Sequence, residues 1–252
     1  MLRSSLLSWL AAAAFAAVLP AQRSVEFEGR YWVPRMTGRV RVEQNGVGTD
    51  VDARADLGIP NTNFPEGRFT FQSSGRNRLQ FTYTPMDYSG DAAVTRTVIF
   101  NGQQYTLGTR VISDLEVKHL QLGWAYQFIR VANGAFKLGT LVEADGFLLN
   151  GRLQAPNLNV NEQEEISFGL PTAGLAMDIN PHHRVNLYAQ ASGMRVGDYG
   201  YYIGGEAGVK VRPAGPLFLT VGYRAFNLHA QVAPDFARLQ LHGPFFGAGL
   251  RF

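Results

Sequence analysis

After its first two dozen residues this chain alternates apolar and polar side chains almost throughout. A period of two admits strands and leaves no convincing helix. "YYIGGEAGVKVR" (201–212) is the clearest case. Tyr201, Ile203, Ala207, Val209 and Val211 share one face, and Tyr202, Glu206, Lys210 and Arg212 the other. Residues 217–226 and 185–192 repeat it: Leu217, Leu219, Val221 and Tyr223 oppose Thr220 and Arg224, and Val185, Leu187, Ala189 and Ala191 oppose Asn186, Tyr188, Gln190 and Ser192. Such segments fall near 24–34, 67–75, 77–88, 114–130, 135–149, 168–180, 184–196, 200–212, 216–228 and 239–252. A slip of phase near Lys118-His119 predicts a bulge there.

The connections alternate in length. "SSGRN" (73–77), "VANG" (131–134), "NPHH" (180–183) and "RPAGP" (212–216) are short and rich in turn residues. Residues 35–66, 89–113, 150–167 and 229–238 form long links, with 197–200 the one short exception. Short turns at one end and long loops at the other predict an all-β, transmembrane, antiparallel up-and-down β-barrel of ten strands (eight to twelve fit), with short periplasmic turns and long extracellular loops. Within the long links, Asn45-Gly46 and Asn101-Gly102 predict two hairpins standing above the barrel.

Alternation alone also fits a soluble barrel, so the charges decide which face is inside. Glu26, Glu28, Arg30, Arg68, Arg78, Lys137, Glu143, Asp145, Asp178, Glu206, Lys210, Arg224 and Arg251 all fall on the polar face. In a dry core each ion would cost several kcal/mol before pairing. Facing lipid, each Arg or Lys would cost roughly 2–4 kcal/mol at mid-bilayer. A polar lumen lets them pair and be hydrated, so the apolar face turns to lipid. Trp32 shares the polar face and is a candidate plug. Trp124, Tyr126, Phe128, Phe136, Tyr223 and Phe252 are candidates for interfacial girdles.

"MLRSSLLSWLAAAAFAAVLPAQ" places Arg3 before an apolar stretch, Leu6 to Val18, that is too short to span a bilayer. It reads as a signal peptide over 1–21, leaving 22–252 as the barrel and implying export to the outer membrane. There is no Cys, so disulfides contribute nothing, and no apolar run of 18 residues follows the leader. A net charge of +3, dispersed along the chain, argues against nucleic acid. In the closing "GPFFGAGLRF" (243–252), Phe246, Leu250 and Phe252 share the lipid-facing side with Ala248. An aromatic end of this kind resembles the signal that outer-membrane barrels present to their assembly machinery.

Longer stretches carry a further resemblance: "EGRYWVPRMTGRVRV" (28–42), "GTDVDARADLG" (48–58), "NFPEGRFTF" (63–71), "SGDAAVTRTVIFNGQQYTLGTRV" (89–111) and "DINPHHRVNLYAQASGM" (178–194). With these the chain resembles an uncharacterised family of Gram-negative outer-membrane barrel proteins. The resemblance implies fold and location and brings no activity with it. It fits a monomer whose partners are outer-membrane lipids, lipopolysaccharide and the barrel assembly machinery.

Three functional readings follow. The first is a non-enzymatic barrel, structural or a narrow small-solute channel, with a lumen filled or lined by Arg68, Arg78, Lys210 and Arg224 against Glu143 and Glu206; ten strands lie near the filled end of the barrel series. The second is a surface binder acting through loops 35–66 and 89–113. The third is a hydrolase, for which His119, His229, His242 and Asp235 are expected near the loop-side rim, although no catalytic residue is assigned. Asp50, Asp52 and Asp56 share a loop and could bridge a divalent cation, but the glycine and terminal glutamate of an EF-hand loop are missing, so the solvated reading is favoured and no metal or cofactor is expected. His182 and His183 fall in a predicted turn.

Overall fold

The computed structural model describes residues 24–41, 43, 48–73, 76–94, 97–100, 103–158 and 160–252. The leader predicted over 1–21 lies outside the described residues. Ten long strands form one antiparallel wall: β1 (Ser24–Trp32), β4 (Phe64–Gln72), β5 (Asn77–Ala93), β8 (Arg110–Val131), β9 (Phe136–Ala155), β10 (Val160–His182), β11 (Val185–Val196), β12 (Gly200–Val211), β13 (Leu217–Val232) and β14 (Asp235–Arg251). Each pairs with the next, and β1 pairs with β14 to close the ring, with Glu26 opposite Arg251 and Trp32 opposite Phe245. Backbone hydrogen bonds between Val25 and Phe252 in both directions seal the lower seam. Closure pairs each stave on both sides through the lower wall, which is what hydrocarbon surroundings require, while above Tyr83 β5 pairs with β8 alone.

Four shorter strands sit at the long-loop end. After a break at Val33-Pro34 the first stave resumes as β2 (Arg35–Arg41), which pairs with the upper half of β14 and carries β3 (Val51–Asp52) on its other side. β6 (Val98–Phe100) and β7 (Gln103–Tyr105) pair as the second expected hairpin. Both flanks match the predicted hairpins, while the turn residues Asn45-Gly46 and Asn101-Gly102 lie outside the described residues.

Three expectations need correction. Residues 150–167 are not a loop: β9 and β10 continue through them, joined by a 3-10 turn at Pro156–Leu158, with Ala155 opposite Val160. Residues 229–238 are likewise strand, with Val232 opposite Asp235, and β5 and β8 run well into 89–113. The bulge in β8 lies between Gln127 and Ile129, not at Lys118-His119. Phe128 and Ile129 both point outward there, so the wall absorbs one extra residue next to the short turn.

Neighbouring strands hold their outward residues in register. Phe27, Phe69, Phe81 and Leu122 lie side by side across β1, β4, β5 and β8, and Leu250 and Leu217 continue the row through β14 and β13. All six are exposed. A continuous apolar belt of this extent marks a lipid-facing surface. Trp124, Tyr126, Phe128, Tyr223 and Phe252 are exposed on the outer wall as well, and Phe136 is half-buried.

Inward aromatic rings need room, and glycines on adjacent strands supply it. Phe245 covers Gly222, where a Cβ would lie 2.4 Å from the Ala207 carbonyl oxygen and 2.5 Å from the Phe245 ring; Phe218 covers Gly249 in the same manner. Replacing Gly222 with Ala therefore forces a backbone carbonyl or a packed ring to move. It should destabilise the barrel by about 1–3 kcal/mol, as overpacking does in other cores, seen as a lower urea midpoint for loss of the folded gel band.

Candidate functional site: the lumen

The polar face of every strand points into the barrel, and its residues sort into layers. At the short-turn end, Lys210 pairs with Glu26, Arg251 approaches Glu26 at 3.6 Å, and Arg78 pairs with Asp178 at 3.2 Å. Lys137 lies beside these groups in the same cavity. The cavity measures about 110 Å3 and is open at that end.

Above it lies a layer of six buried ions. Arg30 sits opposite both Glu66 and Gly247 in the register, and its side-chain stem occupies the space a Cβ on Gly247 would take. Its guanidinium reaches Glu28 at 2.9 Å, Glu206 at 3.1 Å, Glu66 at 3.3 Å and the Tyr188 hydroxyl at 3.0 Å. Arg68 grips both oxygens of Glu206, and Arg224 donates to Glu66, which also accepts from Thr84 at 3.0 Å. Three arginines thus meet three glutamates, and all six side chains are buried. Cationic groups also cover aromatic faces: Arg30 over Phe245 at 4.4 Å, Lys210 over Phe218 at 4.3 Å and Arg224 over Trp32 at 5.1 Å.

On the flank of this layer, His119 Nε2 lies 2.8 Å from Asp145 Oδ1, which also accepts from Gln121 at 3.1 Å. Arg224 stands 3.5 Å from His119 Nδ1, and Ser192 donates to Glu143. His119 was expected at the rim. It is instead 1% exposed within the lumen, because β8 runs nine residues above it.

An aromatic layer covers these ions. Phe147 stacks on His119 with ring centres 4.4 Å apart, on Phe168 at 5.1 Å, and meets Tyr202 and Phe226 at 6.1 and 6.4 Å. Trp32, Phe64 and Tyr88 complete it on the opposite wall, with Trp32 donating from Nε1 to the Gly243 carbonyl at 3.2 Å. Trp32, 1% exposed, is the plug its place on the polar face suggested. Higher still, Val51, Val94, Tyr105, Val111 and Ala155 form a separate apolar cluster under the rim strands.

All thirteen charged residues singled out from the sequence point into the lumen, and the structure divides them between the lower cavity and the buried layers. Sequence reasoning missed Glu66, the acid shared by three arginines, along with Tyr188, Gln121 and the His119–Asp145 pair. Phe246, Leu250 and Phe252 point outward.

The other candidates do not converge. His242 Nδ1 shares a 2.7 Å hydrogen bond with the Tyr223 hydroxyl on the outer wall, His229 contacts Gln231, and Asp235 accepts from the Glu43 amide. Asp52 caps the Arg54 and Ala55 amides at 2.9 and 3.0 Å, Asp50 pairs with Arg41, and buried Asp56 accepts from the Asp52 amide. Partial burial pushes the Asp52 carboxyl up, but the two amides and Arg39 outweigh it and hold the pKa below the usual carboxylate range. These acids serve local turns and ion pairs. Among the described residues no group of three or more His, Asp or Glu could hold a metal ion.

No protein-family model matches the chain, and no curated protein does. Among solved structures it is similar to the outer-membrane protease OmpT of Escherichia coli, with TM-score 0.55 and 8% identity over 94% of this chain and 99% of that one. The translocator domain of the autotransporter NalP from Neisseria meningitidis gives TM-score 0.43 and 12% identity over 98% of this chain and 95% of that one. The attachment invasion locus protein Ail of Yersinia pestis gives 0.39 and 11% over 92% and 100%. The fold is that of a small outer-membrane β-barrel. Within that class the chain is a ten-stranded barrel whose bore is occupied by its own side chains.

Proposed function

We propose that this is an integral, monomeric outer-membrane barrel that performs no catalysis and passes no solute of porin size. The observation that carries the reading is the stack of two layers across the bore, six paired ions beneath a cap of seven rings. A guanidinium held by two or three carboxylates is not free to swing aside for a solute. The His119–Asp145 pair has catalytic residue types, but it lies under the stacked Phe147 ring without space for a substrate.

The charges outside the barrel support the orientation. Arg35, Arg39 and Arg238 stand on the outer face of β2 and β14, above the exposed Tyr31, Tyr223 and Phe246, with Arg39 directly opposite Arg238. Like charges face to face on a sheet are unfavourable without an anion; Asp52 answers Arg39 from its other side at 3.6 Å, so of the facing pair Arg238 still calls for one. The phosphates of lipopolysaccharide meet that need if the long-loop end is extracellular. Closure of β1 on β14 removes the strand edge that a second copy would pair with along the lower wall, which favours the monomer.

Planar bilayers test the reading. Purified barrel should give no conductance, or only small and brief events. Stable, porin-sized openings in the unaltered protein would overturn it.

A further inference from the structure

We propose that the short-turn end of the lumen is a blind cup that binds a small tetrahedral oxyanion. It deepens the closed-lumen reading by giving the open lower end of the bore an occupant, and it rests on that reading only for the word blind.

Charge is the first observation. Seven cationic side chains line the cavity against three carboxylates. Arg30 and Arg68 are engaged by Glu28, Glu66 and Glu206 in the layer above, which leaves five cations for Glu26 and Asp178, a local excess of three. The distribution is uneven as well. Glu26 is shared between Lys210 and Arg251, and Arg78 holds Asp178. Arg212 donates to the His183 carbonyl, so its charge meets no carboxylate among the described ion pairs. Lys137 likewise has no carboxylate within ion-pair distance among them, although it is only half-exposed.

The second observation is independent of charge. Ser24 lines the same cavity, is 8% exposed, and its hydroxyl has no hydrogen-bond partner among the described residues. A buried hydroxyl left unsatisfied costs free energy comparable to a lost hydrogen bond, so such a group in a native site calls for a missing partner. A ligand with several acceptor oxygens provides one for Ser24 and for Lys137 together.

Size gives the third. A cavity holds one water from roughly 10–15 Å3 upward. At about 110 Å3 this one accommodates a phosphate or sulfate ion but no nucleotide or oligosaccharide. The paired ions of the layer above form its floor, so an anion enters and leaves by the same mouth.

The test uses the whole barrel, refolded in uncharged detergent, titrated with inorganic phosphate against chloride at constant ionic strength and read by calorimetry. Saturable one-to-one phosphate binding is expected. Lys137→Gln should weaken it about tenfold or more, the loss for a charge-assisted hydrogen bond, and Ser24→Ala roughly fivefold. Lys137→Arg should restore most of it. Arg152→Gln, exposed at the long-loop rim of β9, should change nothing. Each variant is first checked for a heat-modifiable gel band, and Lys137→Arg stands in if Lys137→Gln does not fold, since it should still bind. Phosphate no better than chloride, Lys137→Gln binding like the parent, or equal loss in Arg152→Gln would each overturn the cup. A parent that conducts in bilayers yet binds phosphate in micelles would remove the closed lumen and keep the site.

Discussion

Replacing Glu66 with Gln should cost the barrel roughly 3–5 kcal/mol, the range seen when one partner of a buried ion group is removed. Glu66 accepts from Arg30, Arg224 and Thr84 and stands 3.6 Å from Arg68. Gln keeps the volume and so separates charge from packing. Without the carboxylate, Arg224 retains only the Trp32 face and a 3.5 Å approach to His119 among the described contacts, and the layer carries an uncompensated positive charge. The destabilisation comes from the stranded ion rather than from the pair's net worth. The double variant Glu66→Gln with Arg224→Met, which removes one charge of each sign, should therefore recover much of the loss. Urea titration of the folded gel band, confirmed by tryptophan emission, measures both. A single variant as stable as the parent, or a double variant worse than the single ones combined, would contradict the balanced six-ion layer. Glu116→Ala is the contrast: its pair with Lys118 is half-exposed on β8, and its loss should have little effect.

Glu66 also shows where the sequence stopped being legible. It stands in "NFPEGRF", between Pro65 and Gly67, two residues that strands avoid, so the expected strand began at 67 and its most important acid fell outside. The structure starts β4 at Phe64, with Arg30 opposite Glu66 fixing the register. Elsewhere the period of two sufficed. With one face in lipid, a single misplaced residue would invert every charge, so the faces of β1, β12 and β14 could be read directly.

The rim failed for the opposite reason. At the rim the inward face of β9 offers only Leu153 and Ala155 to the small apolar cluster there, among polar neighbours, so "NGRLQAPNLNVNEQEEIS" shows too weak an apolar side and reads as loop. Its backbone nevertheless pairs continuously from Gly151–Glu164 up to Ala155–Val160. His119 was misplaced by the same error, since a shortened β8 puts residue 119 near the top of the wall. The bulge had a visible sign, the adjacent apolar pair Phe128-Ile129, where strict alternation allows one outward residue. Which charges pair across the bore could not be read, because Arg68 and Glu206 are 138 residues apart and meet only through closure of the ring.

The two layers in the bore act in series, and a current is limited by whichever remains closed. Truncating the aromatic cap alone, with Phe147→Ala and Phe226→Ala, should lower stability, since each Phe→Ala change in a packed core costs about 3–5 kcal/mol. It should leave the bilayer silent, because the arginines and glutamates beneath still fill the cross-section. Opening the ionic layer alone, with the charge-balanced Glu66→Ala and Arg224→Ala, should also stay silent: Trp32, Phe147 and Phe226 still meet above it, with Trp32 and Phe226 6.1 Å apart. Only the four changes together are expected to join the lower cavity to the long-loop side and give resolvable single-channel events. Conductance from the cap variant alone would mean that the ions yield to solute and that the rings are the seal. Conductance from the ionic variant alone would assign the seal to the paired charges. Silence from the combined variant, with its folded band intact, would place the closure higher, at Val51, Val94, Tyr105 and Val111 beneath the rim, where the loop strands would have to move.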